Sequence, residues 1–529
     1  MRKIIMAVVA AALPVGAMAQ GAFDAYTLSQ GDLRGTARFM SMAGAFGALG
    51  GDLSTLNQNP GGIGVYRTSE IGVTMDIDIE DSNVGGNKDS KTRVYCPNLG
   101  YIGAIALDND VMPYFQWGVS YGRVASFDRI YHGGFGDLGT SMTNYIANRA
   151  YGYSPDVLGQ STDYNPYWDS NADWLSILSF NSYGINPVGG TSIYNGLFDD
   201  NQTVGNAQFM MRQKGYVDEY AINFGGNLMN NVYWGIGFGV TDIDMRQESF
   251  YDEELQDARI AKNEGMGTGV ETGNAYNALI NYRRVSGAGF NFKVGAIVKP
   301  INELRFGFAI HTPTYYNLTD RYNAEMQYSY SSNITDGTAY TEYAEYDWEL
   351  QTPWKMIVSA AGVIDGRFIL SADYEYAAYD NMKISDYDGN EYLDATQEIK
   401  DYFKPTHTMR IGTEYRITPQ LSVRAGFAQS TSAVDKVVED GNIEVYTTGC
   451  NPAYTYDSTT RYITAGLGYK YKGFYIDLAY VNKYRKSQYS PFSSYDDLAY
   501  AGTDSWVYNP AAEFTTNNNN IVVSVGYKF

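Results

Sequence analysis

The side chains best suited to catalysis or iron binding in this sequence are its three histidines. A hydrolytic site would need a histidine beside a nucleophile, and a haem site would use one as an iron ligand. None of the three lies in a recognisable nucleophile motif, so the sequence predicts no catalytic residue, no metal site and no cofactor. His132 falls in a long connection, His311 at the inward-facing end of the predicted seventh strand, and His407 on the outward phase of the tenth.

Two cysteines, Cys96 and Cys450, are too few for a disulfide scaffold or a thiolate metal site. In an exported protein a single bridge between two loops can persist. The sequence leaves open whether these two residues are bridged.

Charged side chains of both signs recur on the polar phase of alternating segments. Membrane-spanning strands tolerate such charges where they face a wet interior instead of lipid. We expect these side chains to pair across that interior or to anchor a segment inside it. They are Asp76, Glu219, Lys293, Arg305, Asp373, Glu375, Arg410, Glu414, Arg424 and Asp477.

Strict alternation of apolar and polar residues defines the elements that carry these charges. Ile71, Val73 and Met75 share one face of the first run, and Thr74 and Asp76 share the other. This period of two predicts a β-strand with one apolar and one polar side. Further runs lie near Leu99, Phe115, Tyr220, Trp234, Phe290, Leu304, Lys355, Phe368, Met409, Leu421, Ile463, Phe474 and Ile521, which gives about fourteen strands.

The connections between these strands alternate between short and long. Short turns at one end and long loops at the other are typical of an outer-membrane barrel, with both chain ends on the short-turn side. A soluble β-sandwich would not need such unequal loops. The short turns are residues 108–113, 230–231, 300–303, 365–366, 418–420 and 472–473, and the long loops are 80–98, 128–215, 247–286, 312–352, 380–404, 431–460 and 485–517.

The last strand alternates to a terminal aromatic residue through Val525, Tyr527 and Phe529. This ending resembles the signal read by the barrel assembly machinery of the outer membrane, which we expect to be a partner. Acidic residues concentrate in the long loops at residues 248–257, 341–349 and 386–401. We expect these loops to be solvated outside the cell, and divalent cations that bridge them to lipopolysaccharide are the alternative.

Residues 1–19 are predicted to be a signal peptide. Arg2 and Lys3 precede an apolar run at residues 4–16, which is too short to span a bilayer, and an A-x-A cleavage site ends before Gln20. The net charge of −21 would by itself suggest a soluble acidic protein. The 49 tyrosines and 56 glycines instead favour a membrane barrel, because tyrosine collects at membrane interfaces and glycine lets strands curve.

The stretch at residues 31–66 is rich in glycine and alanine, yet it carries many buriable side chains. A free linker would be more polar, so we predict a packed insert. A barrel of about fourteen strands is too wide to fill with its own side chains and holds a channel or a plug. We therefore divide the chain into a signal peptide (1–19), an N-terminal hatch that plugs the lumen (20–67) and an all-β transmembrane antiparallel barrel (68–529).

The hatch carries a motif that resembles a known family. Gly44-Ala45-Phe46 followed by NQNPG at residues 57–61 is similar to the hatch of the FadL/TodX family, whose members transport long-chain fatty acids and aromatic hydrocarbons across the outer membrane. The motif of that family is Asn-Pro-Ala. Asn59 and Pro60 match it, and Gly61 stands in place of the alanine.

The resemblance implies passive uptake of a hydrophobic molecule, which is captured among the outer loops, held against the hatch and released through the barrel wall when the hatch shifts. In the family, an inward kink of the third strand opens the wall. Here that strand is residues 114–127, and Gly118 and Gly122 are the candidate bend. Ligand contact and packing of the hatch are alternative roles for its apolar residues Phe39, Met42, Phe46 and Leu49.

Three other functions stay open: a haem (hemin) uptake channel, a general porin and a surface adhesin. A hatch argues against an open porin, and energised haem receptors need about 22 strands and a larger plug. A surface enzyme is disfavoured by the missing nucleophile motif. The expected partners are a hydrophobic ligand, outer-membrane lipid and lipopolysaccharide, with no nucleic acid and no second copy of the chain.

Overall fold

The computed structural model describes residues 21–261, 270–331, 337–498 and 506–529. The predicted signal peptide lies outside these residues. Within them, fourteen antiparallel strands form a closed barrel in which each strand pairs with the next and the last pairs with the first. The strands are β1 (Glu70–Val84), β2 (Asn87–Ala106), β3 (Tyr114–Ser126), β4 (Val204–Leu228), β5 (Val232–Ala261), β6 (Val270–Ile301), β7 (Leu304–His311), β8 (Lys355–Ile364), β9 (Phe368–Ala377), β10 (Thr406–Arg416), β11 (Leu421–Ser430), β12 (Tyr454–Tyr471), β13 (Phe474–Ser490) and β14 (Ala512–Lys528).

The two faces of the wall differ as the alternation predicts. On β1, Ile71 and Met75 are exposed on the outside, whereas Thr74, Asp76 and Asp78 are buried inside. An apolar outer band with a polar interior is the arrangement that suits a barrel in lipid. Of the helices in the described ranges, none combines the length and the apolar character of a bilayer span.

Short turns lie at one end of the barrel and long connections at the other, as predicted, but several strands are longer than expected. The predicted loop at residues 80–98 is wrong, because β1 and β2 continue as a hairpin to a turn at Gly85 and Gly86. Outside the membrane the outward side chains are polar too, for example Asp81 and Thr92. The alternation therefore disappears from the sequence while the hydrogen-bonded ladder continues.

The long connections carry further elements at the outer end. The helices there are α4 (Met142–Arg149), α5 (Pro155–Leu158), α6 (Pro166–Asp169), α7 (Trp174–Asn181), α8 (Leu393–Tyr402) and α9 (Lys436–Glu439), with a 3₁₀ turn at Tyr379–Asn381. Further strands there are Arg129–Phe135, Asn186–Pro187, Tyr194–Asn195, Tyr315–Tyr330, Gly337–Tyr340, Ala344–Gln351, Lys383–Asp386, Tyr495–Asp496 and Trp506–Val507.

Residues 129–203 and the outer ends of the surrounding strands form a compact unit that we call the cap. The helices α4 and α7 bury Tyr145, Ile177 and Leu178 against Phe209 of β4 and Phe492 of the last long connection. The backbone N–H of Met142, at the start of α4, donates to the buried Glu253 of β5 at 2.7 Å. The cap thus has its own apolar core, which covers the outer mouth of the barrel.

The N-terminal segment, residues 21–67, runs through the barrel. It contains α1 (Ala22–Ser29), α2 (Ala37–Ser41), α3 (Thr55–Gln58) and a 3₁₀ helix at Pro60–Val65. Its far end meets the short-turn side, where Ser69 and Phe529 exchange backbone hydrogen bonds of 3.0 Å. Its start lies at the opposite end, where Gly21 packs on the backbone of Tyr446 in a long connection. The expectation that both chain ends lie on the short-turn side is therefore wrong for the first described residue, because this segment crosses the lumen.

Candidate functional site

The predicted hatch motif joins the N-terminal segment to the barrel wall. Asn59 is fully buried, and its Nδ2 donates to the carbonyl oxygen of Gly47 at 2.6 Å and to that of Ala296 on β6 at 3.3 Å. Its Oδ1 accepts from the backbone N–H of Gly61 at 3.0 Å, which caps the 3₁₀ helix that begins at Pro60. The side chain of Asn59 therefore fixes the backbone conformation of the motif and its position along the barrel axis.

The wall receives this segment through glycines on its inner face. A β-carbon at Gly61 would lie 2.8 Å from Cα of Ala296, so there is no room for the alanine of the family motif. Glycines on the facing strands leave similarly little room between their backbones and the segment. They are Gly225, Gly235, Gly295, Gly307, Gly412, Gly426 and Gly466. The sequence shows the inward glycines but not that they form a continuous groove, since each pairs with a residue distant in the chain.

Ion pairs hold the same segment from several sides. The guanidinium of Arg34 lies 2.9 Å from Asp76 and 3.2 Å from Asp78 of β1, and Lys483 of β13 pairs with Asp32. On the other side, Arg38 lies 3.0 Å from Glu414 of β10. All these side chains are at most 17 % exposed, which makes the pairs sensitive to the loss of either partner.

Carboxylate and backbone contacts add to these anchors. Asp373 of β9 accepts from the N–H of Gly47 at 2.9 Å and from Gln58 at 3.1 Å. Arg305 of β7 donates to the carbonyl oxygen of Leu49 at 2.8 Å.

The remaining charges of the predicted inward set pair within the wall. Arg424 lies 2.7 Å from Glu414 and 2.6 Å from Asp477, Arg410 lies 2.8 Å from Glu375, and Lys293 pairs with Glu219. The expected anchoring of a segment thus occurs, whereas these pairs join neighbouring parts of the wall and do not cross the interior as expected.

The candidate ligand contacts lie together in the N-terminal segment. Met42 and Phe46 are fully buried and Leu49 is 4 % exposed. The rings of Phe39 and Phe46 lie 5.6 Å apart, and all four side chains pack with small wall residues such as Ala428 and Ala479. Of the four, Phe39 lines the internal cavity, and the other three lie in the packed core between segment and wall.

The internal cavity lies between the N-terminal segment and the underside of the long connections. Its volume is about 310 Å³, at the lower end of the range for small-molecule sites. Phe39, Ile357 and Tyr316 contribute apolar walls, whereas Asp32 and Glu375 contribute charge. This mixture suits a molecule with an apolar body and a polar end.

Lys355 of β8 is the distinctive cation of this cavity. Among the described residues, Lys293, Arg410, Lys483 and the other cavity cations have carboxylate partners, whereas no hydrogen bond or ion pair is found for Lys355. Its ammonium lies about 4.0 Å from the position of a β-carbon on Gly31, which places it beside the N-terminal segment. Glu375 of the same cavity interacts with this ammonium only through space, so its hydrogen-bond donors are free to receive an anionic group.

The barrel wall is interrupted beside this cavity. The ladder between β2 and β3 ends at the pair Asn98 and Gly122, and β3 continues beside β4 alone. The predicted bend residue Gly118 lies within the regular part of this ladder, and Gly122 is its last member. The register of β3 against β4 shifts at Val124. Asn98, Gly122 and Val124 all line the cavity, so the cavity reaches the interruption.

The partner strand has its own irregularity at the same height. Cys96 and Pro97 of β2 together face Met75 of β1, which is a β-bulge. Proline has no N–H to donate, so it ends the regular pairing of β2 toward β3. Sequence reasoning placed these residues in a loop, although the proline itself signals the break.

The other predicted residues lie far from this cavity or are already engaged. Val525, Tyr527 and Phe529 are exposed on the outer face of the wall. Nε2 of His311 lies 2.7 Å from the carbonyl oxygen of Gln58, inside the barrel. Further out, His132 contacts Asp89 in the outer hairpin and His407 contacts Tyr374 on the outer face.

Both cysteines are free thiols in the structure. Cys96 is half-buried at the bulge, whereas Cys450 is buried in the core of the cap. Burial raises the pKa of the Cys450 thiol well above its ordinary value, so this thiol stays protonated. Within the described ranges, no group of three or more His, Cys, Asp or Glu side chains is arranged to hold a metal ion.

Comparisons of the sequence and of the structure with known proteins point to the same family. A family model described as outer membrane protein transport protein (OMPP1/FadL/TodX) matches residues 207–528, which is more than half of the chain. A solved FadL homologue of Pseudomonas aeruginosa is similar over 94% of this chain and 99% of its own, with a TM-score of 0.52 and 14% sequence identity, which supports the fold.

Two solved toluene transporters are also similar over 94% of this chain and 99% of their own. Pseudomonas putida TodX has a TM-score of 0.43 and Ralstonia pickettii TbuX one of 0.46, each at 13% identity. No curated protein sequence matches the chain.

Proposed function

The chain belongs to the FadL/TodX family of outer-membrane transport proteins and lies in the outer membrane of a Gram-negative bacterium, and from this premise we propose that it takes up amphipathic hydrophobic molecules by a hatch-gated route with lateral exit. The family is one of transporters and not of enzymes. Within the family's two substrate classes, we propose a long-chain fatty acid or a similar lipophilic carboxylate in preference to an aromatic hydrocarbon.

The observation that carries this proposal is the cavity that extends from the N-terminal segment to the interruption between β2 and β3. A molecule held there has the segment below it and the end of the ladder between β2 and β3 beside it. On the short-turn side the lumen is filled by the segment, whose α2 residues are buried against β12 and β13. Exit through the wall therefore requires less movement than passage along the barrel axis.

In this account the N-terminal segment acts as the hatch. Asn59, Pro60 and Gly61 hold its lower part against the wall, so we propose that the movable part is the stretch around Gln30–Gly35 that lines the cavity. Its movement separates Arg34 from Asp76 and Asp32 from Lys483. Phe39 is the proposed ligand contact of the hatch. Met42, Phe46 and Leu49 would contact ligand only after a shift, because they are now packed within the wall.

The preference for a carboxylate depends on Lys355. A fatty acid could place its carboxylate at this ammonium and its chain along Phe39 and Ile357. A neutral aromatic hydrocarbon would gain nothing from the charge and would leave the ammonium without a hydrogen-bond acceptor. Binding of a carboxylate in preference to its neutral analogue is thus the expected signature.

The other candidate functions receive no comparable support. A haem channel would need a free ligand, but Nε2 of His311 contacts Gln58. A general porin would need an open lumen, which the N-terminal segment occupies. Adhesion by the cap, recognition by the barrel assembly machinery, contact with lipopolysaccharide and a monomeric state all stay predictions.

Equilibrium binding in detergent tests this proposal with a labelled long-chain fatty acid, its methyl ester, toluene and haemin. We expect the acid to bind best, and Lys355→Gln to weaken it about tenfold, the order of one charge-assisted hydrogen bond, without changing the ester. Lys472→Gln, in a short turn, is the matched control. An equal loss of affinity for acid and ester in Lys355→Gln would contradict the carboxylate assignment. If haemin or toluene bound most tightly, the proposed ligand class would be wrong.

A further inference from the structure

Tyr95 of β2 lies directly beside the wall interruption, with its ring between two arginines. Cζ of Arg34 lies 4.9 Å from the ring centroid, and Cζ of Arg123 lies 5.1 Å from it. The Tyr95 hydroxyl donates to Asp78 at 3.5 Å. A guanidinium over an aromatic face at this distance is an attractive cation–π contact.

The two arginines come from different parts of the molecule. Arg34 belongs to the N-terminal segment and is held by Asp76 and Asp78. Arg123 belongs to β3 and is held by Asp218 of β4 in two hydrogen bonds, of 2.9 and 3.1 Å. The ring of Tyr95 therefore joins the segment, β2 and β3, which are the three elements that meet at the interruption.

This junction takes the place of the backbone ladder. Below it, β2 and β3 are joined by regular hydrogen bonds from Ala106 and Tyr114 up to Asn98 and Gly122. Above it, salt bridges of Arg93 and Lys91 to Asp128 span the two strands' outer ends, at 3.3 and 4.0 Å. Between these levels β2 and β3 are joined through side chains, which can rotate away without unfolding a strand. The segment itself meets β3 there through the backbone N–H of Asp32, which donates to the carbonyl oxygen of Val124 at 2.9 Å.

We propose that Arg34, Tyr95 and Arg123 form a clamp that closes the lateral opening and couples it to the N-terminal segment. This inference rests on the proposed lateral exit and adds the residues that control it. A shift of the segment withdraws Arg34 from the ring, and Tyr95, then held from one side, swings away from Arg123. The wall opens only when the hatch moves, because one arginine of the clamp belongs to the hatch.

The native thiol of Cys96, adjacent to Tyr95 and half-buried, reports the state of the clamp. The test uses full-length protein in liposomes with Cys450→Ser, which leaves Cys96 as the reactive thiol, and a membrane-permeant maleimide. We expect Tyr95→Ala to raise the modification rate of Cys96 about tenfold, as the loss of two cation–π contacts would allow. Tyr95→Phe keeps the ring and should stay within about twofold of the unsubstituted protein.

Arg34→Gln provides the readout that separates a clamp from mere shielding of the neighbouring thiol. Its side chain belongs to a different element and reaches β2 through the ring of Tyr95 and through Asp76 of β1. Coupling through the ring therefore requires that Arg34→Gln adds nothing to the rise in Cys96 reactivity once Tyr95→Ala is present. Arg67→Gln is the matched control, since Arg67 also belongs to the segment but makes an exposed hydrogen bond, to Asn230 at 3.1 Å, on the short-turn side. We expect no change in Cys96 reactivity from Arg67→Gln.

Fatty-acid release into the lipid phase is measured on the same samples. Faster release in Tyr95→Ala and Arg34→Gln, with faster Cys96 modification, supports the clamp. Unchanged Cys96 reactivity and release in both variants would overturn it, while transport by the unsubstituted protein would leave the proposed function standing. No lipophile transport by the unsubstituted protein would overturn the proposed function itself. If Tyr95→Ala does not fold, Tyr95→Leu, which also lacks the aromatic face, decides between the same outcomes.

Discussion

The two ends of the N-terminal segment are held by different physical means. Its lower part, from α2 to the 3₁₀ helix, is fixed by buried ion pairs, by Asn59 and by backbone set against inward glycines. Its upper part, α1, packs Phe23 and Tyr26 against Phe403 of a long connection and Tyr454 of β12, and its Asp24 pairs with Arg283 of β6. Polar and close-backbone contacts depend on one geometry, whereas apolar packing tolerates rearrangement.

This difference indicates which part of the segment can move. A shift of the lower part would leave buried charges unpaired and bring backbone against backbone. A shift of α1 rearranges apolar packing and separates Asp24 from Arg283 of β6, and a shift of the stretch beneath it separates Asp32 from Lys483. The lower part is fixed in addition by backbone set against inward glycines. We therefore expect the lower part to prevent leakage toward the periplasm and the upper part to respond to ligand.

The largest expected effect comes from breaking the fixed end at Arg424. Replacing it with leucine leaves Asp477 buried without its ion-pair partner and leaves Glu414 with Arg38 alone, and the side chains of Arg424, Glu414 and Asp477 are all at most 3 % exposed. We expect a loss of about 3–5 kcal/mol in the free energy of unfolding. Urea unfolding in lipid measures it, with the exposed Arg461→Leu of β12 as control. An equal loss in both variants would remove the distinction between the two ends.

The next effect comes from the cap and should stay local. Trp174 is 4 % exposed and donates from Nε1 to the carbonyl oxygen of Tyr167 at 3.1 Å. Trp174→Ala should cost about 3 kcal/mol of cap stability. Faster proteolysis within residues 129–203 would report this loss, and sugar exclusion should be unchanged. Trp168→Ala, at a neighbouring residue that is 55 % exposed, is the control. Sugar leakage through Trp174→Ala would contradict the account, because the lower part of the segment and not the cap would be expected to exclude sugar.

A smaller effect is expected where the hatch motif departs from its family. Gly61→Ala restores the family alanine but places its methyl group against the backbone of β6, which we expect to cost about 1–3 kcal/mol. Gly362→Ala is the control, because the nearest atom to its β-carbon lies 4.0 Å away. Urea midpoints measure both variants. A stabilised Gly61→Ala would show that the groove is wider than described.

The smallest effect concerns pH and the apolar end. Burial, followed by Asp394, Glu444 and Asp401, raises the pKa of Glu398 on α8 to about 8. A raised carboxyl pKa favours the folded state at low pH, so the contribution of Glu398 is lost as pH rises from its ordinary value through about 8.

Protease cleavage near α8 should therefore be faster at about pH 9 than at about pH 6. Glu398→Gln should remove most of the difference. Glu391→Gln should not, because a hydrogen bond from Lys383 lowers the pKa of Glu391. A pH effect that persists in Glu398→Gln would show that another titratable group causes it.

The sequence predicts the barrel well because a period of two is local. The residue types of Ile71 and Asp76 alone predict the face of the strand on which each lies. The short turns predict the direction of the hairpins. The hatch is also predictable, since its glycines and buriable side chains lie in one stretch. The hairpin at Gly85 and the passage of Gly21 to the outer end are not, because they depend on contacts between distant residues.

The site follows the same rule. Asn59 could be recognised by its motif, and Pro97 carries a local signal of a broken ladder. The clamp could not be predicted, because Arg34, Tyr95 and Arg123 meet only when the segment lies inside the barrel. The cap core is likewise assembled from Tyr145, Phe209 and other residues far apart in the chain.

Paired flux measurements in proteoliposomes test the central claim most directly. A labelled long-chain fatty acid and a small sugar are followed through the same preparation of full-length protein, beside a variant that lacks residues 31–66. The account predicts movement of the fatty acid with no sugar flux in the intact protein, and sugar flux once the segment is removed. Rapid sugar flux through the intact protein would contradict it, because the N-terminal segment would then not close the barrel.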